Sequence, residues 1–373
     1  MAYKEKKDEK QMGSVFISPL NWGLGHASRD LPIIRELLDH GHEVTVGTSG
    51  NALAFLKREC PECRFIPFED YPVPHNNGMI FLPTYTAYIP TLINAYLSER
   101  KKAEKIFSQN AFDLIISDSR SGVFSEKIPS IQITHQLHQS LPLIAWPLEL
   151  LGVYIQADAF SRFVRIVVPD NQPDREALAG KLSRTTFVPT LRDRIYYCGI
   201  LASVKKEPVK KDIDYLVVIS GMEPQRTALE KILMRQVPHL PGKKVVLLGK
   251  PALDQKKTLV DGTEIYSFIS GEEKSRLMSR ARFIICRSGY TTMMDIAEAG
   301  IKNGLFIPTP GQWEQEYLSR YYEDEGWFFS RSQYGLRLAR DVARAEGFSG
   351  FPAISTTKEN VHRLYRSVFS EYL

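Results

Sequence analysis

The run Phe283-Ile284-Ile285-Cys286-Arg287-Ser288-Gly289-Tyr290-Thr291-Thr292-Met293-Met294-Asp295-Ile296-Ala297-Glu298-Ala299-Gly300 passes from an apolar stretch through a small-residue turn into a helical pattern. It reads as a buried strand ending at Arg287, a turn opened by Ser288 and Gly289, and a helix begun by Thr291 and Thr292. Strand, tight turn and helix in that order make the repeating unit of a parallel α/β sheet. Backbone N–H groups at such a helix start can hold a diphosphate. Asp295, within the next turn, is placed to accept the hydroxyls of a ribose.

Working outward, the same unit recurs. Val217-Val218-Ile219-Ser220-Gly221 is again strand and glycine turn, and Gly221 lets the chain pass close to a ligand. Arg226, near the next helix start, either meets an anion or pairs with Glu230 one turn on. The loop from Pro308 to Glu316 offers Gln312, Glu314, Gln315 and Glu316, amides and carboxylates suited to sugar hydroxyls; the plainer reading is an ordinary strand-to-helix turn. Strands are expected at 215–219, 244–248, 264–268, 283–286 and 304–308 in this half. In the first half they are expected at 15–19, 43–48, 64–68, 113–117, 130–134, 165–169 and 196–200.

The first strand runs into Asn21-Trp22-Gly23-Leu24-Gly25-His26 and a helix over 28–40, with Gly41 just past its end. Gly23 and Gly25 lack the third glycine of a dinucleotide fingerprint, because Ser28 stands there. A histidine at a helix N-terminus is biased toward its neutral form, so His26 is either a general base or a capping residue. Asp118, at the carboxyl end of its strand, either orients His26 or caps the next helix. Arg120 follows it, and His135 and Gln136 end the next strand on the same rim, which makes all three acceptor-side candidates.

Composition sets the outer limits. The chain of 373 residues is 43% hydrophobic and 24% charged, enough for two cores and too apolar for a disordered chain. Its 48 Lys+Arg against 43 Asp+Glu give +5, too mild and dispersed for a nucleic-acid footprint. Four cysteines are too few for a disulfide framework, and the single CxxC at Cys60 and Cys63 has no second pair for zinc. Residues 1–12 read as a solvated tail without a signal-peptide core, and no apolar run is long enough to span a bilayer, so a cytoplasmic protein is expected. Leu201 to Asp212, lysine-rich and broken by Pro208, reads as an exposed linker between domains at 13–200 and 213–345. The end from about Tyr334 looks helical, with Val361, Leu364, Tyr365 and Val368 on one face; residues 346–373 form a segment expected to cross back to the first domain.

The stretch from Phe268 to about Gly326 resembles the C-terminal domain of the MurG family, the N-acetylglucosaminyltransferases of peptidoglycan synthesis, and of their diglyceride-glycosylating relatives. Phe268-Ile269, Arg287-Ser288-Gly289, Asp295-Ile296-Ala297, Ala299-Gly300, Pro308, and Gln315 followed by Tyr317 carry the likeness. The glycine loop ending in His26 resembles that family's N-terminal loop, and also the loops of nucleotide-sugar hydrolases of the pseudaminic acid pathway and of plant-type glycosyltransferases with a histidine base and an aspartate partner. The resemblance implies an α/β GT-B fold: two Rossmann-like domains, an interdomain cleft, and a C-terminal helix returning to the first domain. It implies that the backbone of Ile269 touches uracil, that Ser288 to Thr292 hold the diphosphate, that Asp295 holds the ribose, and that Gln315 and Glu316 read the donor sugar. The family has glutamate at the position of Asp295 and glutamine at that of Glu316, and denser glycines in both loops, which marks a divergent relative rather than a peptidoglycan enzyme.

The expected activity is an inverting glycosyl transfer from a nucleotide diphosphate sugar, UDP-linked, to a lipid or glycan acceptor. No cofactor or metal is expected, since no Asp-x-Asp lies beside the donor loops; Asp212 and Asp214 fall in the linker and at the next strand's start. A nucleotide-sugar hydrolase or epimerase and a non-catalytic nucleotide-sugar-binding subunit are the alternatives. The aromatic and aliphatic stretches 79–97 and 137–163 read as domain core, or as a greasy acceptor groove and membrane contact beside Arg100, Lys101, Lys102 and Lys105.

Overall fold

The computed structural model describes residues 12–70, 81–138, 157–174, 176–184, 189–221, 223–250 and 255–373. Most of the tail expected at 1–12, and positions 79–80 and 139–156 of the two apolar stretches, lie outside the described residues.

The first half forms a parallel sheet from β1 (Ser14–Pro19), β2 (Glu43–Thr48), β3 (Arg64–Pro67), β4 (Leu114–Asp118), β5 (Ser130–Ile133), β6 (Arg165–Val168) and β7 (Ile195–Tyr197), in the order β3-β2-β1-β4-β5-β6-β7. Its helices are α1 (Gly25–Asp39), α2 (Gly50–Glu59) and α3 (Phe81–Gln109). The second half repeats the plan with β8 (Ile213–Val218), β9 (Lys244–Leu247), β10 (Lys256–Thr258), β11 (Glu264–Tyr266), β12 (Ala281–Cys286), β13 (Asn303–Phe306) and β14 (Phe329–Ser330), in the order β10-β11-β9-β8-β12-β13-β14. Its helices are α4 (Gln225–Gln236), α5 (Gly271–Arg280), α6 (Tyr290–Ala299), α7 (Trp313–Asp324), α8 (Leu338–Ala345) and α9 (Thr357–Ser367). The edge strand β10, antiparallel to β11, consists of exposed Lys-Lys-Thr and had no apolar signal in the sequence.

Central strands are apolar on both faces because helices cover both: Val15, Phe16 and Ile17 are fully buried, as are Ile284, Ile285 and Cys286. In each sheet the chain order reverses between neighbouring strands, β1 beside β4 and β8 beside β12. Open α/β sheets take ligands outside the carboxyl ends of such strand pairs. The two glycine turns, after β1 and after β12, stand at these reversals.

Helix α1 buries Ile33, Ile34 and Leu37 and stops where Gly41, at φ +86°, lets its N–H reach Leu38 O while His42 N–H reaches Leu37 O. That paired arrangement satisfies the last carbonyls and turns the chain into β2. Helix α9 packs on α1: the Tyr365 ring stacks on His40 at 3.7 Å, its hydroxyl lies 2.7 Å from His42 Nε2, and His362 pairs with Glu36 at 3.1 Å. The helical end expected from about Tyr334 consists of two helices, α8 and α9, separated by a segment containing Gly347, Gly350 and Pro352.

The linker expected at 201–212 is exposed at Lys205, Lys206 and from Pro208 to Lys211, but its first residues are not. Leu201, Ala202 and Val204 are buried, and the N–H groups of Ala202, Ser203, Lys205 and Glu207 donate to Thr357 Oγ1, Asp295 Oδ1, Ser275 Oγ and Glu207's partner Ser279 Oγ respectively. Backbone donors leaving a sheet must be satisfied somewhere, and here side chains of α5, α6 and α9 do it. The long helix α3 was hidden from sequence reading by its proline, Pro90, and it leaves Ile93 and Leu97 exposed. Among the described residues no helix is long and apolar enough to cross a membrane.

Candidate active site

A cleft of about 850 Å³ opens where the carboxyl edges of the two sheets face each other. The first half supplies the turn from Trp22 to His26 together with His135. The second supplies Ser220 and Gly221, the stretch from Tyr266 to Gly271, the start of α6 and the loop from Thr309 to Gln315. The two helix starts touch: Thr291 Oγ1 donates to Gly25 O at 3.3 Å, and a Cβ on Gly25 would sit only 3.0 Å from that hydroxyl. A side chain at 25 would make the Thr291 hydroxyl give way by a few tenths of an ångström.

His26, in the first turn of α1, places Nδ1 3.1 Å from Asp118 Oδ1 at the end of β4. Arg29, one turn on, was missed by the sequence reading. Its Nε donates to Asp118 Oδ2 at 2.8 Å, and its Nη2 donates to Asp118 Oδ1 and, at 3.2 Å, to Ser119 Oγ. Nη2 also lies 3.0 Å from His26 Nδ1, but its two hydrogens have those oxygen acceptors. We therefore assign the His26 proton to Nδ1, facing Asp118, which leaves Nε2 able to accept a proton. Burial lowers the His26 pKa below its ordinary value of 6.5 and the Arg29 charge adds to this, against the pull of Asp118. Burial pushes the Asp118 carboxyl up, but Arg29 and His26 overcome it and hold it well below the usual carboxylate range. Asp30, fully buried, receives no hydrogen bond on either oxygen among the described residues, and burial and neighbouring Asp118 raise its pKa.

Arg29 reaches a second histidine as well. Its Nη1 donates to His135 Nδ1 at 2.9 Å, so His135 carries its proton on Nε2, 3.3 Å from Glu314 Oε1 of the other half. The His135 ring stacks on Tyr290 at 4.4 Å, and Gln136 donates to Glu314. Burial works against the Glu314 carboxylate, but His135, His26 and Arg29 draw its pKa below the ordinary value.

On the other wall Gly221, Ile269, Gly289, Thr291, Thr292, Asp295, Gln312, Glu314 and Gln315 line the cleft. Several expected ligands do not. Arg226 pairs with Glu223 and Glu230, the plainer of its two readings. Buried Arg287 turns beneath the loop to the carbonyls of Ile307, Pro308 and Gln225 and to Gln333, and burial brings its pKa down to about 10. The Ser288 hydroxyl donates to Gln315 O and accepts from Ser319. Glu316 is exposed and accepts from Gly311 N–H at 2.9 Å, closing its own turn rather than facing a sugar. Arg120 is spent on Glu99, Asp70 and the Glu69 carbonyl, away from the cleft. Gln315 braces the loop between Thr309 N–H and Gln312. Asp295 is buried, and its carboxylate already accepts from Ser203 N–H at 2.7 Å, from the Ser203 hydroxyl and from Lys274 Nζ at 2.6 Å.

With this geometry in place, the likenesses fall into one class. The chain is 25% identical over 347 residues to an uncharacterized glycosyltransferase of Methanosarcina acetivorans, covering 87% of this chain and 89% of that protein. It is 26% identical over 320 residues to another from Methanosarcina mazei, with 82% of each covered. Among solved structures, the glycotransferase of kitacinnamycin superposes with TM-score 0.62 at 14% identity, covering 96% of this chain and 95% of that one. Arabidopsis thaliana UGT89C1 complexed with UDP-L-rhamnose gives 0.57 at 14%, covering 97% and 95%. Acinetobacter baumannii MurG gives 0.52 at 13%, with 94% of each covered, a likeness of fold alone. No protein-family profile matches the chain. The protein has the two-domain α/β GT-B fold, and it belongs to the enzyme class its relatives and structural neighbours share, the glycosyltransferases.

Proposed function

We propose that the protein moves a hexose or N-acetylhexosamine from a UDP-sugar to a lipid-linked or glycan acceptor with inversion at the anomeric carbon. The observation that carries this reading is His26, oriented by Asp118 on one wall of the cleft and facing the helix start of α6 on the other. The acceptor hydroxyl gives its proton to His26 Nε2 as its oxygen forms the new bond to the anomeric carbon. The bond from that carbon to the diphosphate breaks, and the electron pair leaves on the phosphate oxygen. Backbone N–H groups at Gly289 to Thr292 face the charge that develops there. Glu314, with His135 behind it, is the group placed for a donor-sugar hydroxyl. Neighbours of the same fold bound to UDP-L-rhamnose and to UDP support the uridine donor.

Exposed Ile93 and Leu97 on α3, followed by Arg100, Lys101, Lys102 and Lys105, support a lipid-linked acceptor met at the cytoplasmic membrane face. Incubation with labelled UDP-sugars and native lipid and glycan extracts should give a glycosylated product by mass spectrometry, unchanged in yield by chelation of divalent cations. Free sugar or an epimer formed at the same rate without acceptor would assign a hydrolase or epimerase instead. No turnover with any donor would make the protein a binding subunit.

The proton step sets the pH profile. His26 must be neutral to accept a proton, and burial lowers its pKa, so kcat/KM should stay level as pH falls toward 6.5 and decline only below it. An acid limb centred above pH 7 would point to another base.

A further inference from the structure

Arg29 Nη2 stands beside two acceptors at once: Asp118 Oδ1, to which it donates, and His26 Nδ1, 3.0 Å away. While its hydrogens go to Asp118 and Ser119, His26 Nδ1 is left to donate to Asp118, and Nε2 stays open. A guanidinium turned so that Nη2 donated to His26 Nδ1 would instead put the proton of a neutral imidazole on Nε2, where it could no longer accept one. The turn of Arg29 therefore sets the usable nitrogen of His26. That turn is fixed from the opposite end of the guanidinium, where Nη1 meets one acceptor among the described residues, His135 Nδ1 at 2.9 Å. Arg29 is 1% exposed, so an Nη1 deprived of that acceptor would be a buried donor left unpaired. His135 is in turn steadied by two residues of the second half of the molecule. Its ring lies 4.4 Å from that of Tyr290 with 10° between the planes, and its Nε2 lies 3.3 Å from Glu314 Oε1.

We propose that His135 is a positioning residue for the base: by accepting from Arg29 Nη1 it keeps Nη2 on the oxygens of Asp118 and Ser119, and so keeps the His26 proton on Nδ1. The inference rests on the reading of His26 as the base and deepens it. His135 exerts this effect through Arg29, without touching the reacting atoms. Because Tyr290 and Glu314 hold His135 from across the cleft, the proton on His26 is placed where the two halves meet.

His135→Phe keeps a ring for Tyr290 to stack on and removes the acceptor, whereas His135→Asn supplies an oxygen acceptor in place of Nδ1. Nitrogen-15 NMR of the full chain labelled at histidine reads the His26 tautomer, with His26→Ala to assign the signals. Wild type should carry the proton on Nδ1, His135→Phe should move it wholly or partly to Nε2, and His135→Asn should return it. With native melts, His135→Phe should lower turnover of labelled UDP-sugars in the lipid and glycan extracts by about ten- to a hundredfold, the scale of a misplaced catalytic group. UDP affinity by calorimetry should stay within about threefold, as expected of a defect in the chemical step. In a His26→Ala background the same substitution should change turnover by less than about threefold, because nothing is left to position. A wild-type His26 proton on Nε2 overturns the inference without any variant. A proton that stays on Nδ1 in His135→Phe, or an equal loss in both backgrounds, overturns it and leaves the base standing. Turnover in His26→Ala equal to wild type overturns the base itself, and the positioning role with it.

Discussion

Replacing His26 with alanine is expected to cut turnover by about 10² to 10⁴, the range for removing a general base. Affinity for UDP should hold, because the nucleotide-facing groups lie on the other half of the molecule. Asp118→Asn should give a smaller loss in the same parameter, since asparagine can still accept the Nδ1 proton but no longer stabilises the imidazolium. The double variant should be scarcely slower than His26→Ala, because the two side chains act as one unit. Steady-state kinetics with calorimetry decides the matter: losses that multiply, or a His26→Ala defect confined to nucleotide affinity, would make the glycine turn a phosphate or structural element.

The second large effect is on stability. Arg29→Met removes the guanidinium that grips Asp118 through two nitrogens and leaves the fully buried Asp118 carboxylate without its charged partner. Breaking a buried pair from one side typically costs about 3 to 5 kcal/mol, far more than an exposed pair is worth. Denaturant unfolding at neutral pH should report a loss of that size. The pH dependence has a definite sign. The Asp118 pKa is depressed in the folded state, so its contribution is fully present above the unfolded value near about 4 and is lost as pH falls toward the folded value. The gap between wild type and Arg29→Met should therefore narrow below about pH 4. A loss under about 1 kcal/mol at pH 7, the size expected of an exposed pair, would mean that the carboxylate is screened by other groups.

The strand-and-turn units were legible because buried parallel strands are continuous apolar runs, and because the rim on which ligands gather follows from strand polarity alone. His26 and Asp118 could be read as one constellation on that ground. Arg29 could not be read so directly, since an arginine in an amphipathic helix reads as solvated; its spacing of three from His26, which puts both on one helix face, was the available signal. Arg226, Arg287 and Ser288 turn their side chains to protein partners for a common reason: position beside a glycine turn fixes where the backbone goes, while the side chain's direction depends on partners such as Glu230, Gln333 and Ser319 that lie far off in sequence or on the same helix. Lys274 and Ser203 come together across 71 residues, and nothing local announces that contact.

The touching helix starts at Gly25 and Tyr290 bear on how the protein releases its product. Each start carries a partial positive charge of about half a unit, and setting two side by side is mildly repulsive. A nucleotide diphosphate held at Gly289 to Thr292, as proposed, would offset that repulsion, so the anion would act as a keystone between the two starts. Once the nucleotide departs, the keystone would go with it.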